Sequence, residues 1–167
     1  MNTYYELKEV LRRADLNLNH RDSNPKTPEF ESASPEETFA FARALGEIAV
    51  PGQIICLEGD LGAGKTVFAK GLAVGLGVTE SVVSPTFTIL QVYESGRLPL
   101  YHFDAYRIGS PDEMDEIGWE EYAYGGGVTV VEWPSMIEEL IPAEALTVRI
   151  ERDPGKGYDA RRILLEA

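Results

Sequence analysis

The strongest constraint on this chain is an eight-residue run, Gly59-Asp60-Leu61-Gly62-Ala63-Gly64-Lys65-Thr66, which fits G-x-x-x-x-G-K-[ST]. Its glycines let the backbone bend so that successive N–H groups point inward at phosphate oxygens. A helix opening at the end of the bend adds the partial positive charge of its N-terminus. Lysine at the helix start reaches β- and γ-phosphates, and the adjacent hydroxyl can ligate Mg²⁺. The pattern works only between a strand and a helix. Gln53-Ile54-Ile55-Cys56-Leu57-Glu58 reads as a buried strand, and Val67–Ala73 as the helix. Asp60, Leu61, Gly62, Ala63, Gly64, Lys65 and Thr66 are therefore the expected nucleotide-binding residues.

Around this P-loop the chain alternates helical and strand patterns. Ser34-Pro35-Glu36-Glu37 has the N-cap, first-position proline and third-position glutamate of a helix start, and Pro51-Gly52 ends that helix. Residues 86–93 and 98–104 predict a hairpin across Glu94-Ser95-Gly96-Arg97. Residues 110–122 should contain a helix capped by Ser110, and Val128-Thr129-Val130-Val131 a second buried strand. Two more strands, in ALTVRIER and ARRILLE, flank a turn at Asp153-Pro154-Gly155. The expected fold is α/β: a P-loop NTPase-like three-layer arrangement with a mixed sheet, antiparallel strands added to a parallel core. Residues 34–167 form the expected domain. Residues 1–33 read as a partly mobile N-terminal extension, with an amphipathic helix over 3–16 (Tyr4, Leu7, Val10 and Leu11 on one stripe) and a polar linker holding Pro25 and Pro28.

Charge narrows the partners. The net charge is −13, and residues 34–148 carry all of it, with 5 basic and 18 acidic side chains. That balance argues against a free-standing nucleic-acid binder. Cys56, the single cysteine, cannot form an internal disulfide and reads as a small buried apolar residue, which fits a reducing compartment. No run approaches the roughly 20 apolar residues of a membrane span, and the N-terminus lacks the apolar centre of a signal peptide, so the expected location is the cytoplasm.

A phosphate cradle alone leaves the chemistry open. Hydrolysis needs an acidic group near the metal and something to orient water. Glu132, at the end of the 128–131 strand and before Trp133-Pro134, is the expected Walker-B-like acid. Ser84-Pro85-Thr86-Phe87 offers the Thr86 hydroxyl on a stiffened loop, either as a γ-phosphate sensor or simply as a strand start. In Tyr101–Arg107, His102 and Asp104 share a strand face. Asp104 could orient water or join the metal shell, Arg107 could contact phosphate or pair with an acid, and His102 reads as structural. Two histidines and one cysteine make a zinc site improbable. The absence of an N-K-x-D motif favours ATP over GTP.

Taken together, GDLGAGKT, SPTF, HFDAYR, GWEEY and VVEWP, in this order, make residues 34–167 resemble the TsaE (YjeE) family. The resemblance implies a small Mg²⁺-dependent P-loop ATPase in the synthesis of threonylcarbamoyladenosine in tRNA. It implies TsaB and TsaD as partners, ATP hydrolysis that keeps their transferase complex cycling, weak activity alone, and contact with tRNA only through the complex. It also implies that Lys65 holds phosphates, Thr66 and Glu132 serve Mg²⁺, Asp104 supports hydrolysis, and Thr86 belongs to a switch-like loop. Adenine would lie near the start of the Ser34 helix and the C-terminal hairpin. The acidic 110–121 helix, interrupted by Met114, Ile117 and Trp119, is an expected part of the TsaB–TsaD docking surface. Two competing readings are a small-molecule kinase, for which the chain between cradle and residue 148 has only Arg97 and Arg107 as arginines, and a non-catalytic nucleotide-dependent assembly switch.

Overall fold

A computed structural model describes residues 3–13, 16 and 28–166. Residues 17–27, most of the expected linker, lie outside the described residues, as do the side chains of Tyr4 and Leu7. The elements are α1 (Thr3–Arg13), β1 (Glu29–Ser32), α2 (Pro35–Ile48), β2 (Ile54–Glu58), α3 (Lys65–Gly75), β3 (Leu90–Tyr93), β4 (Leu100–Asp104), α4 (Asp112–Ile117), α5 (Trp119–Ala123), β5 (Val128–Glu132), a 3₁₀ segment (Pro134–Leu140), β6 (Leu146–Arg152) and β7 (Arg161–Glu166).

The seven strands form one sheet in the order β1-β7-β6-β2-β5-β4-β3. β6, β2, β5 and β4 run parallel; at one side β7 pairs antiparallel with β6 and β1 antiparallel with β7, and at the other β3 pairs antiparallel with β4. Side chains alternate across each strand, which divides the core into two. Ile55, Leu57, Val128, Val130 and Leu100 pack with Phe41, Leu45, Phe68 and Leu72 of α2 and α3. Ile54, Cys56, Val131 and Phe103 pack with Met114, Trp119 and Ile137 beneath α4, α5 and the 3₁₀ segment. This is the expected three-layer α/β fold with a mixed sheet. None of the described helices is long and apolar enough to cross a membrane.

Local chemistry explains the helix starts. The Ser34 hydroxyl accepts from the Glu37 N–H at 3.2 Å, and the Glu37 carboxylate accepts from the Ala33 N–H at 2.7 Å. The first bond satisfies a donor that the first helical turn leaves free, and the second ties the residue before the cap to the helix.

Three expectations change. The sheet begins before Ser34: β1 lies within the stretch expected to be linker, pairs with β7, and stacks Phe30 on Phe41 with ring centroids 4.7 Å apart. Leu11 of α1 is also buried in the α2–α3 core. The hairpin is shorter than predicted, because residues 86–88 form a turn and β3 starts only at Leu90. The 110–122 helix is two short ones, broken at Gly118, whose φ of 91° belongs to the left-handed region that favours glycine.

Candidate functional site

Parallel strands end at the same side of a sheet, and three of them converge here. β2 ends in Glu58 just before the glycine-rich loop, β5 ends in Glu132, and β4 ends in Asp104. The ladder places Glu132 beside both Leu57 and Asp104. Clefts beyond the carboxyl ends of such strands are where α/β sheets bind ligands.

The loop itself needs its glycines. Gly62 and Gly64 have φ of 77° and 113°, and a Cβ on Gly59 would stand 2.6 Å from the Ile150 carbonyl oxygen. The Ala63 N–H donates to the Asp60 carbonyl at 2.9 Å, and the Phe68 N–H to Gly64 at 2.9 Å as α3 opens. Lys65 is 7% exposed. Its ammonium donates to the Gly59 carbonyl, and to that of Asp60 at 3.3 Å, and lies 4.2 Å above the Trp133 ring centroid. Burial pushes the Lys65 pKa below its ordinary value, and the nearby carboxylates of Glu132, Asp104 and Asp60 offset part of that push.

A cleft of about 650 Å³ lies against the loop and brings together Lys65, Thr66, Thr86, Asp104 and Glu132. Gly62, Gly64 and the 86%-exposed Leu61 line it as well. Asp60 and Ala63 do not; they border a second cleft of about 800 Å³ between the loop and β6, and Trp133 lines both. That second cleft adjoins the C-terminal hairpin, with Arg149 and Arg152 in its wall.

The two carboxylates are buried and differently held. The His102 Nε2–H donates to Glu132 Oε1 at 2.9 Å, between side chains almost wholly out of solvent. His102, expected to be structural, is buried against Glu132, the residue expected to be the Walker-B-like acid. The Asp104 Oδ1 accepts from the Tyr106 N–H at 3.0 Å. The Thr86 hydroxyl lies 2.9 Å from that of Ser84, at a turn closed by the Ile89 N–H donating to Pro85 at 2.8 Å. One hydroxyl and two carboxylates are hard oxygen donors, the type Mg²⁺ takes in ones and twos alongside phosphate oxygens and water. The donor chemistry of Thr66, Asp104 and Glu132 therefore fits that ion.

Other expectations fare differently. Among the described residues Arg107 pairs with no acid: its guanidinium sits over the Phe87 ring, 4.6 Å from the centroid. Arg97 lies at the C-terminus of α2, its Nη2 donating to the carbonyls of Gly46, Glu47 and Ala49. Met114 and Trp119 of the acidic segment belong to the core, so only its carboxylates, Asp112, Glu113, Asp115 and Glu116 among them, face outward. Sequence reasoning included Ser84 and Tyr106 in candidate segments without giving either a role, though both line the cleft, and it passed over Arg152 and Arg161, which touch the loop from the far end of the chain.

A family model described as "Threonylcarbamoyl adenosine biosynthesis protein TsaE" matches residues 32–163. The tRNA threonylcarbamoyladenosine biosynthesis protein TsaE of Bacillus subtilis is 49% identical over 142 residues, covering 85% of this chain and 87% of that protein. The protein of the same name from Treponema pallidum is 43% identical over 119 residues, covering 71% and 87%. A crystal structure of Bacillus subtilis YdiB superposes with a TM-score of 0.72 at 45% identity, covering 84% of each chain.

Proposed function

This chain belongs to the TsaE family, with its place in tRNA threonylcarbamoyladenosine biosynthesis, and we propose that it serves there as an Mg²⁺-dependent ATPase. In this reading it acts in the cytoplasm with TsaB and TsaD, keeps their complex cycling, and meets tRNA only through them. The observation that carries the reading is the single cleft that gathers Lys65, Thr66, Thr86, Asp104 and Glu132 at the end of a glycine-rich loop.

The chemistry asked of the chain is mostly electrostatic. Loop amides and the Lys65 ammonium would hold the β- and γ-phosphates. To do so, Lys65 exchanges the carbonyls of Gly59 and Asp60 for phosphate oxygens. Thr66 and Glu132 would hold Mg²⁺, which neutralises charge developing on the transferring phosphoryl group. Asp104, buried beside Glu132, would accept a hydrogen bond from an attacking water. His102 keeps one Glu132 oxygen engaged and so fixes the direction of the other.

A kinase would need cations closing over the phosphates. Arg97 is committed to α2 and Arg107 to Phe87, which supports hydrolysis over transfer to a small acceptor. One observation favours a second reading, a nucleotide-dependent assembly switch: Leu61 and Phe87, beside the cleft, are 86% and 82% exposed.

Phosphate release from ATP, measured with and without the TsaB–TsaD pair and with no added acceptor, tests the first reading. Release should rise with the pair present. Lys65→Ala should abolish productive binding or turnover, and Asp104→Ala or Glu132→Ala should lower turnover about 100-fold with a smaller effect on ATP affinity. A Glu132→Ala protein with intact turnover and Mg²⁺ dependence would remove Glu132 from the metal. Partner binding compared with ATP, ADP and a non-hydrolysable analogue separates ATPase from switch.

A further inference from the structure

Cations hold the carbonyls of the phosphate loop from Gly59 to Ala63. Lys65 takes the carbonyls of Gly59 and Asp60. Arg152 donates to the Leu61 carbonyl at 3.3 Å. Arg161 donates to that of Gly62 at 3.4 Å and to that of Ala63 at 2.7 Å. Five successive carbonyls thus each accept from an ammonium or a guanidinium. Both arginines come from the C-terminal hairpin, some 90 residues from the loop.

Their placement is costly unless it does something. Arg152 and Arg161 are directly opposite each other on β6 and β7, and like charges in that position repel. Among the described residues neither has a carboxylate within ion-pair distance. The neighbouring arginines of the same hairpin do: Arg149 pairs with Glu58 and Glu166, and Arg162 with Glu151. Arg161 is further fixed by its own turn, donating to the carbonyls of Tyr158 and Ala160, both at 2.9 Å.

A trans peptide points its N–H opposite to its C=O. Holding the carbonyls of Leu61 and Ala63 therefore aims the N–H groups of Gly62 and Gly64 the other way. Gly62 and Gly64 line the cleft that holds Lys65 and Thr66, whereas Arg152 lies in the wall of the second cleft. We infer that Arg152 and Arg161 are positioning residues that keep the loop's carbonyls turned out, and its amides turned toward a nucleotide's phosphates. The inference rests on the nucleotide reading of this cleft. The residues act on the loop, not on the reacting atoms.

The test uses the full chain and its Arg161→Ala, Arg161→Lys and Arg152→Ala variants. Mg·ATP and Mg·ADP are titrated, and amide hydrogen exchange is followed in the ligand-free proteins. Arg161→Ala should weaken both nucleotides at least tenfold and speed exchange at residues 61–64, leaving β6 and β7 amides as protected as before. Arg152→Ala should do the same more weakly. Arg161→Lys, which keeps the charge but not the two-pronged donor, should fall between wild type and Arg161→Ala. Affinities within twofold of wild type together with unchanged loop exchange would overturn the inference. So would a loss of protection spread equally over β6 and β7, the mark of a merely structural role. If the wild-type chain takes up no nucleotide, the reading of the cleft fails, while loop exchange in the ligand-free variants still decides whether the arginines hold the loop.

Discussion

Glu132 is set in place by a residue that never reaches the cleft floor. His102 sits one strand over, wholly buried, and its only hydrogen-bonded ring nitrogen faces Glu132, while Nδ1 has no partner. Removing the donor leaves a buried carboxylate unsatisfied, which costs about 3 kcal/mol. His102→Ala should therefore lose that much in urea unfolding, and His102→Gln, which can still donate, should recover part of it. Cys56 lies on the other sheet face, below the loop, and burial pushes its thiol up from 9.0 to about 12. The neutral form is the one the fold favours. Its contribution to stability is complete below pH 9 and drains away as pH rises from there toward 12. In the native protein at pH 8, Cys56 should resist a thiol reagent that modifies it at once in denaturant. Lys65, Thr66, Asp104 and Glu132 were legible in the sequence because each sits at a strand end or a loop with a recognisable local pattern. The tie between His102 and Glu132 was not, since it depends on the register of β4 against β5. Arg152 and Arg161 were invisible for the same reason at longer range.

At the scale of elements, α2 and α3 pack through glycine. A Cβ on Gly75 would stand 2.1 Å from the Arg43 carbonyl oxygen, and one on Gly46 would stand 2.3 Å from that of Leu72. Glycine inside a helix is unfavourable in itself, so the sequence presents these residues as weak points, and only the helix contact supplies their reason. Gly75→Ala should cost about 2 kcal/mol through overpacking. For a chain this long that is a fall of roughly 4–8 °C in Tm, measurable by thermal denaturation. Because α3 begins at Lys65, the same contact fixes the angle at which the loop meets its helix. Period-two and capping signals made α2, β2, β5 and the C-terminal hairpin readable. The long acidic helix was misread because Gly118 could have been tolerated in a helix; its left-handed backbone and the burial of Trp119 decide otherwise.

For the whole molecule, the expected parallel core with antiparallel additions was legible from the order of patterns. The starting point of the fold was not: Glu29–Ser32 is a short, charged stretch that becomes a strand only because β7 offers an open edge. Removing residues 1–33 strips that edge and uncovers Phe41. It should destabilise the protein by several kcal/mol, with the single change Phe30→Ala accounting for about 3 of them. Removing residues 1–27 should cost less, and denaturant unfolding of the three proteins orders them. Ser32 is the ladder partner of Arg161, whose guanidinium grips Ala63. The first strand and the glycine-rich bend are thus links of one short mechanical chain, two contacts apart in space though some thirty residues apart in sequence. A force or a binding partner that peels the amino-terminal edge would slacken the far link as well.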